Sequence, residues 1–97
     1  MVEKGVIEML EVISRKKFVS QNRIVTIKKM KDITDIYASI IVEQKCGLST
    51  KEYILIYDYE KKEIVDGDLI AYGSWYHLDE EELIDWSQVA QNEKWFN

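Results

Sequence analysis

The chain has no proline, one cysteine, one histidine and four glycines among its 97 residues. Without proline or a Gly-rich or low-complexity tract, no linker suggests itself, and no repeat points to a solenoid. A lone cysteine, Cys46, rules out an internal disulfide and fits a reducing compartment, and one cysteine with one histidine leaves too few ligands for structural zinc. The apolar runs "YILIY" and "ASIIV" fall far short of the ~20 residues of a membrane helix. "MVEKGVIEML" lacks the cationic start and unbroken apolar stretch of a signal peptide. The expectation is a cytoplasmic protein that does not enter a membrane. Hydrolase, phosphate-binding and dinucleotide-binding motifs are missing as well. Cys46 and His77 fall on different predicted strands or loop edges, so the chain reads as a non-enzyme with no cofactor and no metal.

What remains is an ordinary globular balance, 46% apolar and 32% charged, consistent with one domain over residues 1–97. The formal net charge is -5, yet it is divided unevenly: residues 1–51 hold 10 Lys/Arg and 6 Asp/Glu, whereas residues 52–97 hold 3 and 12. Inside the first half, "RKKFVSQNRIVTIKKMK" carries seven cations and no carboxylate. This polarity, more than the net value, needs an explanation.

Val2, Val6, Met9, Leu10 and Ile13 recur at helical spacing, which predicts an N-terminal helix ending in the cations Arg15, Lys16 and Lys17. Thereafter β-branched and aromatic residues dominate. "RIVTIKK", "IYASIIVEQ", "KEYILIYDY" and "LIAYGSWYH" read as four strands joined by hairpin-length loops, with a further short strand at Glu63–Val65 and a turn at Asp66-Gly67 as an option. "LDEEELIDWSQVAQ" carries a capping box, Asp79 with Glu82, and a Leu78–Leu83 staple across the start of a final helix. Trp95 and Phe96 are expected to dock against the domain. The predicted fold is α+β, αββββα: a four-stranded, mainly antiparallel meander with N- and C-terminal helices.

Period-2 parity permits Tyr37, Tyr53, Tyr57, Tyr59, Tyr72 and Tyr76 to lie on one side of the sheet, leaving the aliphatic side for the helices. Such a face suits protein docking, since phenols bury ring area and keep a hydrogen bond. Glu80, Glu81 and Asp85 would add negative potential at its rim. Carboxylates in a first helical turn also complement the helix dipole, which weighs against a cation site built from His77, Asp66, Asp68 and Glu81.

The leading functional expectation is a small acidic, non-enzymatic protein-binding module. Its partner would have a basic surface, in the manner of inhibitors of nucleases, toxins or defence proteins, where charge steers and aromatic residues anchor. The alternative is single-stranded nucleic-acid binding through Arg15, Lys16, Lys17, Phe18, Arg23, Lys28, Lys29 and Lys31. Nucleic acid is the less favoured partner, because each piece of the basic block also has a local structural reason and the acidic half repels phosphates. Charge polarity further allows a homo-oligomer in which the positive end of one copy meets the negative end of another.

Overall fold

Within each strand the side chains alternate between two sides, and backbone pairing joins the strands into a single sheet. The computed structural model describes residues 11–30 and 36–96. Strands β1 (Val12–Phe18), β2 (Arg23–Lys29), β3 (Tyr37–Cys46), β4 (Ser49–Asp58), β5 (Glu63–Ala71) and β6 (Ser74–His77) lie side by side in chain order, and helix α1 (Glu80–Asn92) follows. Every neighbouring pair is antiparallel. The architecture is therefore a six-stranded open meander with one C-terminal helix, mainly β, in place of the expected αββββα order.

Three local features separate the observed fold from the four-stranded expectation. Ile13, assigned by spacing to an N-terminal helix, belongs to β1 together with Arg15, Lys16 and Lys17, the cations expected at that helix's end. Val2 to Leu10 lie outside the described residues. The strand forms because its partner is one tight turn away. A single 3-10 turn, Val19–Gln21, closes on Asn22 at φ 54, a left-handed position that Asn tolerates, and β1 then zips to β2 with Lys16 opposite Val25 and Phe18 opposite Arg23.

The segment "LIAYGSWYH" is likewise two strands and a turn. Tyr72 and Gly73 take φ 51 and 76 between the paired residues Ala71 and Ser74, the two positive φ angles of a type I′ hairpin that matches sheet twist. Asp66-Gly67, by contrast, is no turn. It lies inside β5, where Ile64 pairs with Tyr57 and Asp66 with Ile56, so that Val65 is an extra residue. That bulge switches the parity of the strand and places both Ile64 and Gly67 on the core side.

The core sits between this side of the sheet and α1. Val25, Ile27, Ala38, Ile40, Val42 and Leu55 are buried from the strands, and Leu78, Ala90 and Trp95 from the C-terminal segment. Helix α1 begins as its sequence predicts: Asp79 Oδ1 accepts from the Glu82 N–H at 2.9 Å, and Glu82 Oε1 accepts from the Asp79 N–H at 3.2 Å. Ser87 ties the helix to the β5 bulge, since its Oγ accepts from the Ile64 N–H at 2.8 Å and donates to the Leu83 carbonyl at 2.9 Å. Leu83, Trp86 and Val89 pack against the core beside them.

Gly67 is required here for space. A Cβ at this position would fall 2.6 Å from Leu55 Cδ2 and 3.1 Å from Leu78 Cδ1, with the Ile54 carbonyl oxygen at 3.2 Å. Leu55 is fully buried, so its side chain must shift within the packed core to admit the methyl group. Gly67→Ala should therefore destabilise the domain by about 1–3 kcal/mol through overpacking, lowering the unfolding midpoint in thermal denaturation by roughly 4–8 °C for each kcal/mol. A neutral result would show that α1 and β4 are not packed as described.

Candidate protein-docking face

Because α1 is the one helix among the described residues, it covers only one side of the sheet. The tyrosines predicted to share an accessible side do not. Tyr53, Tyr57 and Tyr59 lie beneath or beside the C-terminal segment: Tyr53 meets Trp86 at 4.8 Å between ring centroids, Tyr57 stacks on Phe96 at 3.8 Å, and Tyr59 meets Phe96 edge-on at 5.5 Å. Tyr37, paired with Asp58, falls on the opposite side. Tyr72 is at the hairpin tip and Tyr76 on edge strand β6, both exposed. The physical reason is that the helix packs best on large flat rings, and the parity argument could not choose which side the helix would take. Glu80, Glu81 and Asp85 are exposed on α1, which lies against the core side.

The basic block is divided by the same parity. Lys16 and Arg23 point to the core side and fasten the C-terminus. Lys16 Nζ donates to the Lys94 and Trp95 carbonyls at 2.7 and 2.9 Å. Arg23 pairs with Glu93 at 2.9 Å, donates to Gln44 Oε1 at 3.0 Å, and lies 5.5 Å above the Trp86 ring. Glu93 in turn accepts from Trp95 Nε1 at 2.9 Å. Phe18 packs on the core. Lys29 is opposite Ala38 on the core side at the end of β2, and Lys31 lies outside the described residues. Only Arg15, Lys17 and Lys28 reach the other side, where Glu43, Glu52, Asp66 and Asp68 also lie. The described residues of the block are thus divided between the two sides of the sheet.

That side, which no element among the described residues covers, is the most distinctive described surface. Its registers form rows across the sheet: Lys17, Ile24, Glu43, Glu52, Ile70 and Trp75 in one; Arg15, Thr26, Ile41, Ile54, Asp68 and His77 in the next. A third runs Lys28, Ser39, Ile56 and Asp66. An antiparallel sheet with one wet side normally shows polar residues there. Here five isoleucines, Ile24, Ile41, Ile54, Ile56 and Ile70, form an apolar centre that only neighbouring side chains shield, and Trp75, 64% exposed, stands at its edge. The sequence signal lies in the continuous apolar runs of β3 and β4, which place apolar residues on both sides of the sheet.

His77 closes the acidic end of the surface. Its Nδ1 lies 3.1 Å from Asp68 Oδ1 and its Nε2 3.6 Å from Asp66 Oδ1, with all three side chains substantially exposed. The grouping of His77 with Asp66 and Asp68 was legible in the sequence. Among the described residues no set of three or more His, Cys, Asp or Glu is gathered as a metal site. Cys46 is at the end of β3, with β4 and β5 between it and His77 on β6, so thiol and imidazole do not form a pair. No helix among the described residues is long and apolar enough to cross a membrane. Comparison with protein-family models, curated proteins and solved structures finds no match.

Two outcomes test this division of labour. Arg23→Ala strips Glu93 of its mostly buried partner and should lower stability by about 2–3 kcal/mol in chemical denaturation, whereas Lys17→Ala on the bare side should change it by less than about 0.5 kcal/mol. Burial pushes the phenols of Tyr53, Tyr57 and Tyr59 above the ordinary value near 10. A phenol whose folded pKa is raised keeps its proton longer in the folded state, so its contribution is intact below about pH 10 and is lost as pH rises beyond it. The thermal midpoint should fall above about pH 10, and Tyr57→Phe should reduce that fall.

Proposed function

We propose that the protein is a non-enzymatic protein-binding module that docks through the bare side of its sheet. The observation carrying this reading is the contiguous isoleucine centre left uncovered by the fold's one described helix. Surrounding charges give the surface an orientation. Arg15, Lys17 and Lys28 occupy the β1–β2 side, and Glu52, Asp66 and Asp68 the β4–β5 side. A partner with an apolar centre and charges of opposite order would be steered into one register. Trp75, at the hairpin edge, is an aromatic anchor of the type that dominates binding energy. The acidic rim draws the basic part of such a partner, which retains one element of the expectation from sequence and moves it from the tyrosine side to the isoleucine side.

A photoreactive phenylalanine analogue in place of Trp75 tests this in cell lysate. It should yield a defined protein adduct, to this chain or another, that disappears when Ile41→Lys is added. The same analogue at Gln88, exposed on α1, should yield none. Equal labelling from both positions, or an adduct indifferent to Ile41→Lys in a variant that keeps its circular dichroism spectrum, would refute the docking role.

A further inference from the structure

The charge blocks of the bare side are self-complementary under one symmetry operation. A two-fold axis parallel to the strands, between β3 and β4 and midway between two sheets facing each other, lays β1 over β6, β2 over β5 and β3 over β4 of a second copy. Rows are preserved by this operation. The registers then set Lys28 against Asp66 of the second copy, Arg15 against its His77 with Asp68 diagonally beside it, Thr26 against Asp68, Ile24 against Ile70, and Ile41 against Ile54 at the centre. Lys17 meets Trp75, an arrangement suited to a cation–π contact. The other in-plane axis, perpendicular to the strands, would stack β1 on β1 and place cations on cations.

We propose that the chain forms a two-fold homodimer by packing the bare sides of two sheets together, an inference that rests on the docking reading above and names its occupant. Two twisted sheets pack about 10 Å apart with strand directions within about 30°. Six strands at ~4.8 Å spacing and seven residues at ~3.3 Å rise give a side of roughly 24 by 23 Å, about 550 Å² in each copy. Together these lie just above the ~1,000 Å² that a specific interface requires, so the dimer should be weak, with dissociation in the micromolar range. One contact opposes it. Glu43 is set against Glu52 of the second copy, and the two already face each other across β3 and β4 within one chain.

Sedimentation of the full-length protein over a concentration series tests the inference. The wild type should associate reversibly to a dimer. Lys28→Glu alone and Asp66→Lys alone should each weaken self-association by about tenfold or more, and an equimolar mixture should restore it as a heterodimer, because each new charge then finds its opposite. Glu52→Gln should tighten the dimer by relieving the opposing contact. Asp66 Oδ1 also accepts from the Gly67 N–H at 2.9 Å, so Arg15→Glu mixed with Asp68→Lys provides the same readout if Asp66→Lys fails to fold. A wild type that stays monomeric at about 1 mM, or a dimer whose strength ignores these exchanges, overturns the proposal. If the Trp75 analogue still captures a different protein in an Ile41-dependent way, only the second copy is excluded and the docking role survives. If neither is seen, both readings fall.

Discussion

One helix cannot cover a six-stranded sheet, and this mismatch of widths organises the molecule. A helix with its side chains is about 10–12 Å across, whereas six strands spread over about 24 Å. Even the core side is therefore completed by other means: Trp95 and Phe96 follow the helix and lie on the sheet, and Tyr53, Tyr57 and Tyr59 rise from β4 and its end to meet them and Trp86. Aromatic rings extend the reach of the covering layer where aliphatic side chains would leave gaps. The layer stays in place because cations from β1 and β2 hold its end, Lys16 by two carbonyls and Arg23 by Glu93 and the Trp86 ring.

Fastening the C-terminus in this way leaves nothing from the described chain to cover the opposite side. There the parity that buries Val25, Ile27, Ile40 and Val42 turns Ile24, Ile41, Ile54 and Ile56 to the other side, where they are half-buried. Apolar residues on both sides of β3 and β4 are more than one covering layer can use. A second layer, from whatever source, is the simplest physical reason for isoleucine rather than threonine or lysine at those positions. The divided charge also finds its place, since the basic and acidic halves of the sequence become opposite sides of one surface instead of opposite ends of the molecule.

Much of this was legible from residue order, and what was not has identifiable causes. The capping box at Asp79 and Glu82, strands β2, β3 and β4 to within a few residues, and the docking of Trp95 and Phe96 follow from local chemistry. Strand β1 was misread because Ile13 completes a helical spacing with Val2, Val6, Met9 and Leu10, while the ladder to β2 is visible only once pairing is known. Strand β5 was misread because the bulge at Val65 interrupts its alternation, and Gly67, which yields space to Leu55, looks like a turn residue. Parity showed which tyrosines could share a side within a strand. It could not show which side attracts the helix, because that depends on contacts with Trp86 and Phe96 far along the chain.

The Glu43–Glu52 pair carries the argument one step further. Like charges directly opposite on neighbouring strands destabilise a sheet, and here they share a row with Ile24 and Ile70, whose apolar surface is also unfavourable in water. The core side shows no such conflict, for no polar side-chain atom buried there lacks a hydrogen bond among the described residues. Local rules are thus obeyed where the domain folds and broken on the side that no described element covers, the contrast on which the proposed docking role rests. In the dimer proposed above, this carboxylate pair would keep association below the strength that the isoleucines alone would give.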